Sequence, residues 1–163
     1  MARNKRGEKI DQSPNRTISQ NRKAFHDYSI SETLEAGLAL HGSEIKSIRA
    51  GRVNLRDSYV AFREGEAWLI GTHIAGYNEA SYQDHDPVRD RKLLLHRREI
   101  QRLRAQVEQR GYTVVPTRLY LKNNRAKVEI GLAKGKHTYD KRESLRDRDT
   151  EREIEREIKG RLQ

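Results

Sequence analysis

The chain has 163 residues, of which 36% are charged, and 34 Lys/Arg against 24 Asp/Glu leave a net charge of +10. It contains no cysteine, which excludes disulfides, thiolate chemistry and cysteine zinc sites, and no apolar run approaches the roughly 20 residues of a membrane span. The positive excess is spread over the head, middle and tail of the chain, as suits a protein lying along a polyanion, so nucleic acid is the leading partner class; with no membrane-span run and no secretory-type apolar stretch after the basic start, the cytoplasm is the expected compartment.

Residues 1–20 lack an apolar period and carry scattered Lys/Arg with Gly7 and Pro14, which predicts a disordered basic arm. Over 28–40 the even positions are apolar except Glu32 and the odd ones polar or small, the mark of a long half-buried strand. Ser43 offers an N-cap and Gly51 a C-cap for a short helix whose outer side carries Lys46, Arg49 and Arg52. Segments 58–63 and 66–74 form a hairpin around Glu64-Gly65, and a polar, aromatic loop follows over 75–87. Asp86-Pro87 can open a helix, while Leu93-Leu94-Leu95 reads equally as a short extended piece. His96, Ile100, Leu103 and Val107 share one face of a helix that Gly111 stops. A strand over 113–121, with Pro116 at an edge or bulge, turns at Lys122-Asn123-Asn124 into one whose apolar positions are Ala126, Val128, Ile130 and Leu132.

This order gives antiparallel pairing and a mainly β fold, best met by a small closed barrel of the oligonucleotide-binding (OB) type with flanking helices over 21–133. Residues 134–163 hold ten basic and eight acidic residues with four aliphatic ones, too little apolar surface to offset the entropy of ordering, so a tail disordered in the free protein is expected. Should it become helical, Ile154, Ile158 and Leu162 form a narrow stripe.

Chemistry-bearing motifs are sparse. GLAKGKH (131–137) has three residues between its glycines and no Ser/Thr after the lysine, so it is no nucleotide-hydrolysing phosphate loop. The six histidines never fall at metal-ligand spacing and read as surface residues; no metal site and no cofactor is expected. Glu35, Glu44 and Asp57 lie in segments of different type, which argues against the carboxylate cluster of a nuclease. Glu35, on the polar face of the first strand, is either a solvated acid or an acceptor for a base or a 2′-hydroxyl. Tyr77, Tyr82 and Tyr112 are stacking platforms or ordinary amphipathic residues.

Four stretches, NRKAFHDYSI (21–30), EAGLALHGSEIKSIRAGRVNLRDSY (35–59), NEASYQDHDPVRDRKLLLH (78–96) and GLAKGKHTYDKR (131–142), resemble in order and spacing the small protein B (SmpB) family, the bacterial partners of transfer-messenger RNA. The resemblance implies a non-catalytic, monomeric RNA-binding adaptor of ribosome rescue, with transfer-messenger RNA and the ribosome as partners and no membrane. An OB-type barrel would hold the RNA, and the tail would become helical in the empty messenger channel. By position it implies Asn21, Glu35 and Leu94 on the RNA-binding surface and Tyr139, Asp140, Lys141 and Arg142 at the decoding centre; the basic residues Lys23, Lys46, Arg49, Lys92, Lys127 and Lys134 complete the expected RNA-binding set, and Lys136 the expected tail set. A basic structural ribosomal protein is the alternative reading.

Overall fold

A computed structural model describes residues 15–77, 84–109, 111–136 and 138–161. In chain order they form β1 (Arg16–Gln20), α1 (Arg22–Asp27), β2 (Tyr28–Leu38), α2 (Gly42–Arg49), β3 (Val53–Asn54), β4 (Tyr59–Arg63), β5 (Glu66–Ile70), β6 (His73–Ile74), β7 (Arg91–Leu94), α3 (Arg97–Val107), β8 (Tyr112–Lys122), β9 (Arg125–Gly135) and α4 (Thr138–Arg161). Seven strands make one antiparallel sheet in the order β1-β8-β9-β2-β7-β5-β4, and β3 pairs with β6 apart from it.

The sheet wraps around its own core. Val60, Ala67, Leu69 and Leu93 from one end meet Val114, Val128, Ile130 and Leu132 from the other, with Ile100 and Leu103 of α3 inserted among them. A second cluster joins Ile48 of α2 and Ile74 to Leu119 and Leu121 of β8. These are the inward positions of the sequence pattern, and burying them supplies most of the driving force for folding. A closed barrel was the expectation, but among the described residues no strand pair joins β1 to β4, so the sheet keeps two edges. Side-chain packing, rather than a last hydrogen-bonded ladder, holds its two ends together.

Both hairpin turns follow their residues. Glu64 and Gly65 have φ of 51° and 75°, and Asn123 and Asn124 have 51° and 62°, the left-handed pairs that match the strand twist of two-residue connections. Glu32 interrupts the alternation of β2 because the register shifts between Ile30 and Glu32, and the register of β8 shifts likewise between Pro116 and Arg118. Gly131 lies between these two irregular strands, where an added Cβ would sit 2.7 Å from Ile30 Cγ2 and 3.2 Å from Thr117 Cγ2. The first glycine of GLAKGKH is therefore a packing residue.

Some boundaries differ from expectation. Residues 16–20 belong to the sheet instead of a disordered arm: β1 pairs with β8, and Ile18 packs against the Ile48–Leu119 cluster. The body continues past Ala133 to Gly135, paired with Tyr28. His41, not Ser43, is the N-cap of α2, since Glu44 reaches back to accept from the His41 N–H at 2.7 Å. No helix starts at Asp86-Pro87; Arg91–Leu94 is a strand between β2 and β5. The tail from Thr138 to Arg161 is one 24-residue helix whose described side chains, from Arg146 on, are exposed.

Candidate nucleic-acid interface

Strand register assembles the site. Gly37 of β2 lies opposite Lys127 of β9 on one side and Leu94 of β7 on the other. Glu35 and Lys92 stand two residues before Gly37 and Leu94, hence on the same faces of their strands. Glu35, Lys92, Leu94 and Lys127, four of the expected RNA-binding residues, thus line one open groove of about 850 Å³, together with Glu66, His96 and Arg97. Leu94 is 55% exposed, although its neighbours Leu93 and Arg91 are buried. Glycine at 37 makes room for it, because a Cβ there would stand 3.2 Å from Leu94 Cβ and 3.3 Å from Leu94 Cδ1. Lys92 Nζ is 2.6 Å from Glu66 Oε1, so its charge is already partnered.

Glu35 is not simply solvated. Its carboxylate accepts from the Tyr120 hydroxyl, and Lys122 Nζ lies 3.5 Å from both of its oxygens. The Tyr120 hydrogen bond, against a small cost of burial, and the charges of Lys122 and Lys127 hold its carboxyl below the usual range. Burial and the Glu35 carboxylate push the Tyr120 phenol well above its usual range. The Arg118 guanidinium lies 4.9 Å from the Tyr120 ring centroid and also pairs with Glu129 at 3.0 Å, stiffening this patch. On the far side of Glu35, a second depression of about 430 Å³ is lined by Glu35, Lys122, Asn123, Arg125 and Lys127. Tyr120, Lys122 and Arg125 were not among the expected site residues. A signal was present: a two-residue Asn-Asn turn sets Lys122 against Arg125 and Tyr120 against Lys127.

The remaining expected residues lie elsewhere. Asn21 is 4% exposed, and its amide donates to Leu55 O at 3.2 Å and Pro116 O at 2.9 Å while accepting from the Ala24 N–H at 3.2 Å. It caps α1 and ties it to the sheet, leaving no amide proton for RNA. Lys23 is paired with Asp57 on the α1 side. Lys46 is exposed on α2 with its ammonium 5.3 Å from the Tyr77 ring centroid, and Arg49, also exposed, donates to Asn124 O at 3.4 Å. Lys134 lies 5.5 Å from the Tyr112 ring, so Tyr77 and Tyr112 each hold a cation. Lys136 donates from Nζ to Phe25 O at 3.1 Å, anchoring the end of the body to α1. Tyr139, Asp140, Lys141 and Arg142 fall in the first turns of α4. Tyr82 lies outside the described residues. The histidines are not all surface groups: the side chain of His85 is 1% exposed, bonded through Nδ1 to Ser43 Oγ at 2.8 Å and through Nε2 to Ile74 O at 2.8 Å.

Beneath the groove is an ionic cluster that sequence reasoning missed. Glu44 of α2 and Arg91 of β7 are fully buried, 2.8 Å apart, and Arg89 closes on the other Glu44 oxygen at 2.5 Å. Arg91 also donates to Thr72 O at 2.7 Å and Pro87 O at 3.1 Å, which satisfies its fork. Burial by itself opposes ionisation of Glu44, but hydrogen bonds from Arg89, the His41 N–H and Arg91 outweigh it and bring the carboxyl down to about 2. The cluster fixes the first residue of the strand that carries Lys92 and Leu94. Glu35, Glu44 and Asp57 therefore have separate partners and separate surroundings.

Fold and face together define a class: a small, mainly antiparallel β protein presenting a charged, solvent-open sheet groove with one exposed leucine. The family model described as "SmpB protein" matches residues 18–160, and the chain belongs to that family. It is 61% identical over 147 residues to the SsrA-binding protein of Roseiflexus sp. (strain RS-1), covering 90% of this chain and 93% of that one. Against the SsrA-binding protein of Shouchella clausii (strain KSM-K16) the identity is 54% over 147 residues, covering 90% and 94%. A solved structure described as "tmRNA-SmpB: a journey to the center of the bacterial ribosome" matches with a TM-score of 0.65 and 46% identity, covering 82% of this chain and 96% of that chain.

Proposed function

We propose that this chain binds the tRNA-like end of transfer-messenger RNA and delivers it to stalled ribosomes for trans-translation, acting as a cytoplasmic, monomeric adaptor without catalysis. The carrying observation is the meeting of Glu35, Lys92, Leu94 and Lys127 from three strands in one open groove, in a chain whose relatives are named SsrA-binding proteins. The curled sheet serves as an OB-type platform for the RNA. Such sheets bind a polyanion through cations at the rim and recognise it through acceptors and apolar contacts on the face.

The tail acts separately. Its described side chains pair only with one another, as in Arg152 and Asp149 at 3.8 Å, so tertiary packing lends the helix no support there. On this reading the tail is disordered in free solution and helical in the empty messenger channel, with Lys136, Tyr139, Asp140, Lys141 and Arg142 at the decoding centre. The test gives stalled ribosomes transfer-messenger RNA with either wild-type protein or a variant in which residues 139–142 are all alanine. Wild type supports peptide transfer to the RNA; the variant binds the RNA with unchanged affinity yet supports none. Normal transfer by the variant would make the tail dispensable, and a wild type that does not prefer this RNA over elongator tRNA would end the adaptor reading.

A further inference from the structure

The two depressions that share Glu35 and Lys127 differ in charge. Glu35, Glu64, Glu66 and Glu99 in the groove outnumber Lys92, Arg97 and Lys127, whereas in the hairpin depression Lys122, Arg125 and Lys127 face Glu35 alone. Of the two, the β8–β9 hairpin depression is therefore the more favourable seat for a phosphate, while the groove keeps its acceptors and Leu94 for the rest of the RNA. The cations there are only partly engaged. Among the described residues neither the Arg125 nor the Lys127 side chain has a hydrogen bond or ion pair, and Lys122 pairs with Glu35 at 3.5 Å. The turn that carries them is fixed, since the Asn123 N–H donates to Asn15 Oδ1 at 2.8 Å.

A carboxylate at the rim of a phosphate seat is unfavourable unless a proton lies between the two anions. Glu35 offers about four acceptor sites, of which Tyr120 and Lys122 use some and leave others open. In RNA the donor nearest a phosphodiester is the 2′-hydroxyl of the ribose attached to it, and DNA has none.

We propose that the hairpin depression is a one-ribonucleotide site, in which Lys122, Arg125 and Lys127 hold a phosphodiester while Glu35, positioned by Tyr120, accepts from the neighbouring 2′-hydroxyl. This rests on the RNA-binding reading and adds to it a means of telling ribose from deoxyribose at one position.

The test is a set of tRNA-like RNA ends, each with a single 2′-deoxynucleotide, titrated against wild type and the variants E35Q, Y120F and R125A, with melting temperatures measured in parallel. One deoxy position should weaken wild-type binding about tenfold, the worth of one hydrogen bond to a charged acceptor. The same deoxy change should cost E35Q clearly less, because an amide oxygen accepts from the 2′-hydroxyl more weakly than a carboxylate does. Y120F should bind the all-ribose RNA more weakly and show a reduced deoxy penalty. R125A should keep that penalty while its plot of log affinity against log salt loses a slope of about 0.9. Absence of any position whose penalty shrinks in E35Q overturns the proposal, as does a penalty that follows base replacement instead of 2′-deoxy substitution. Wild-type protein that binds none of the RNAs takes the RNA-binding reading down as well, so the two failures are distinguishable.

Discussion

Glu44 and Glu35 are both glutamates held by two side-chain donors with lowered carboxyl pKa values, yet they do opposite things. Glu44 is sealed between α2 and β7, and every charge near it is consumed by Arg89, Arg91 and backbone groups. Glu35 lies on the open face with its carboxylate at the junction of two depressions. Burial decides the difference. A buried ion pair that loses one partner leaves a stranded charge, whereas an exposed one loses a contact that water replaces. The first is therefore committed to the fold, and the second is available to a ligand.

The largest effect is expected of Glu44→Ala, which strands Arg91 in the interior. It should lower the free energy of unfolding by about 3–5 kcal/mol, read from urea denaturation. The same residue sets an acid limit. Its folded-state pKa of about 2 lies below the unfolded carboxylate value, so its contribution is complete at neutral pH and is lost as pH falls through the window from about 4.5 to about 2. Glu44→Ala should flatten that acid limb, and an unchanged limb would assign it to other carboxylates.

Next in size is Glu35→Arg, whose effect belongs to binding. RNA affinity should fall about tenfold or more at every salt concentration, as expected when an acceptor to a charged contact is replaced by a group of opposite character. Stability should change by no more than about 0.5 kcal/mol, as for other surface positions. A large drop in melting temperature would mean that the Tyr120 and Lys122 contacts hold the sheet together, and the contrast with Glu44 would fail.

The smallest effect sharpens the picture of the groove. Gly37→Val places a Cβ 3.2 Å from Leu94 Cβ and 3.3 Å from its Cδ1, so the leucine must shift to make room. Affinity should weaken by roughly twofold to fivefold, less than the loss of a charged contact. Circular dichroism should be unchanged, because β-branched residues suit strands. Undiminished affinity would remove Leu94 from the contact surface.

Local patterns were legible. Alternation marked β2 and β9, the Glu64-Gly65 and Asn123-Asn124 pairs marked the turns, and one apolar face marked α3, because side-chain period and backbone φ are properties of short segments. The exception at Glu32 was legible as well, but its cause was not, since a register shift exists only against a partner strand. The tail's exposed, charge-dense character likewise followed from its few apolar residues.

What the tertiary structure alone decided was which polar residues are inside and which groups meet. Nothing local distinguishes Arg91, fully buried, from Arg97, exposed six residues later, nor Asn21, a buried cap, from a surface amide. Glu35 meets Tyr120 and Lys122 across 85 and 87 residues of chain, through the pairing of β2 with β9 and of β9 with β8. By itself the sequence determined the type of its strongly periodic segments, the charge and the family resemblance. The open edges of the sheet, the ionic cluster under β7 and the two depressions at Glu35 depend on strand order and register, and the long-range contacts that fix these have no counterpart in local periodicity.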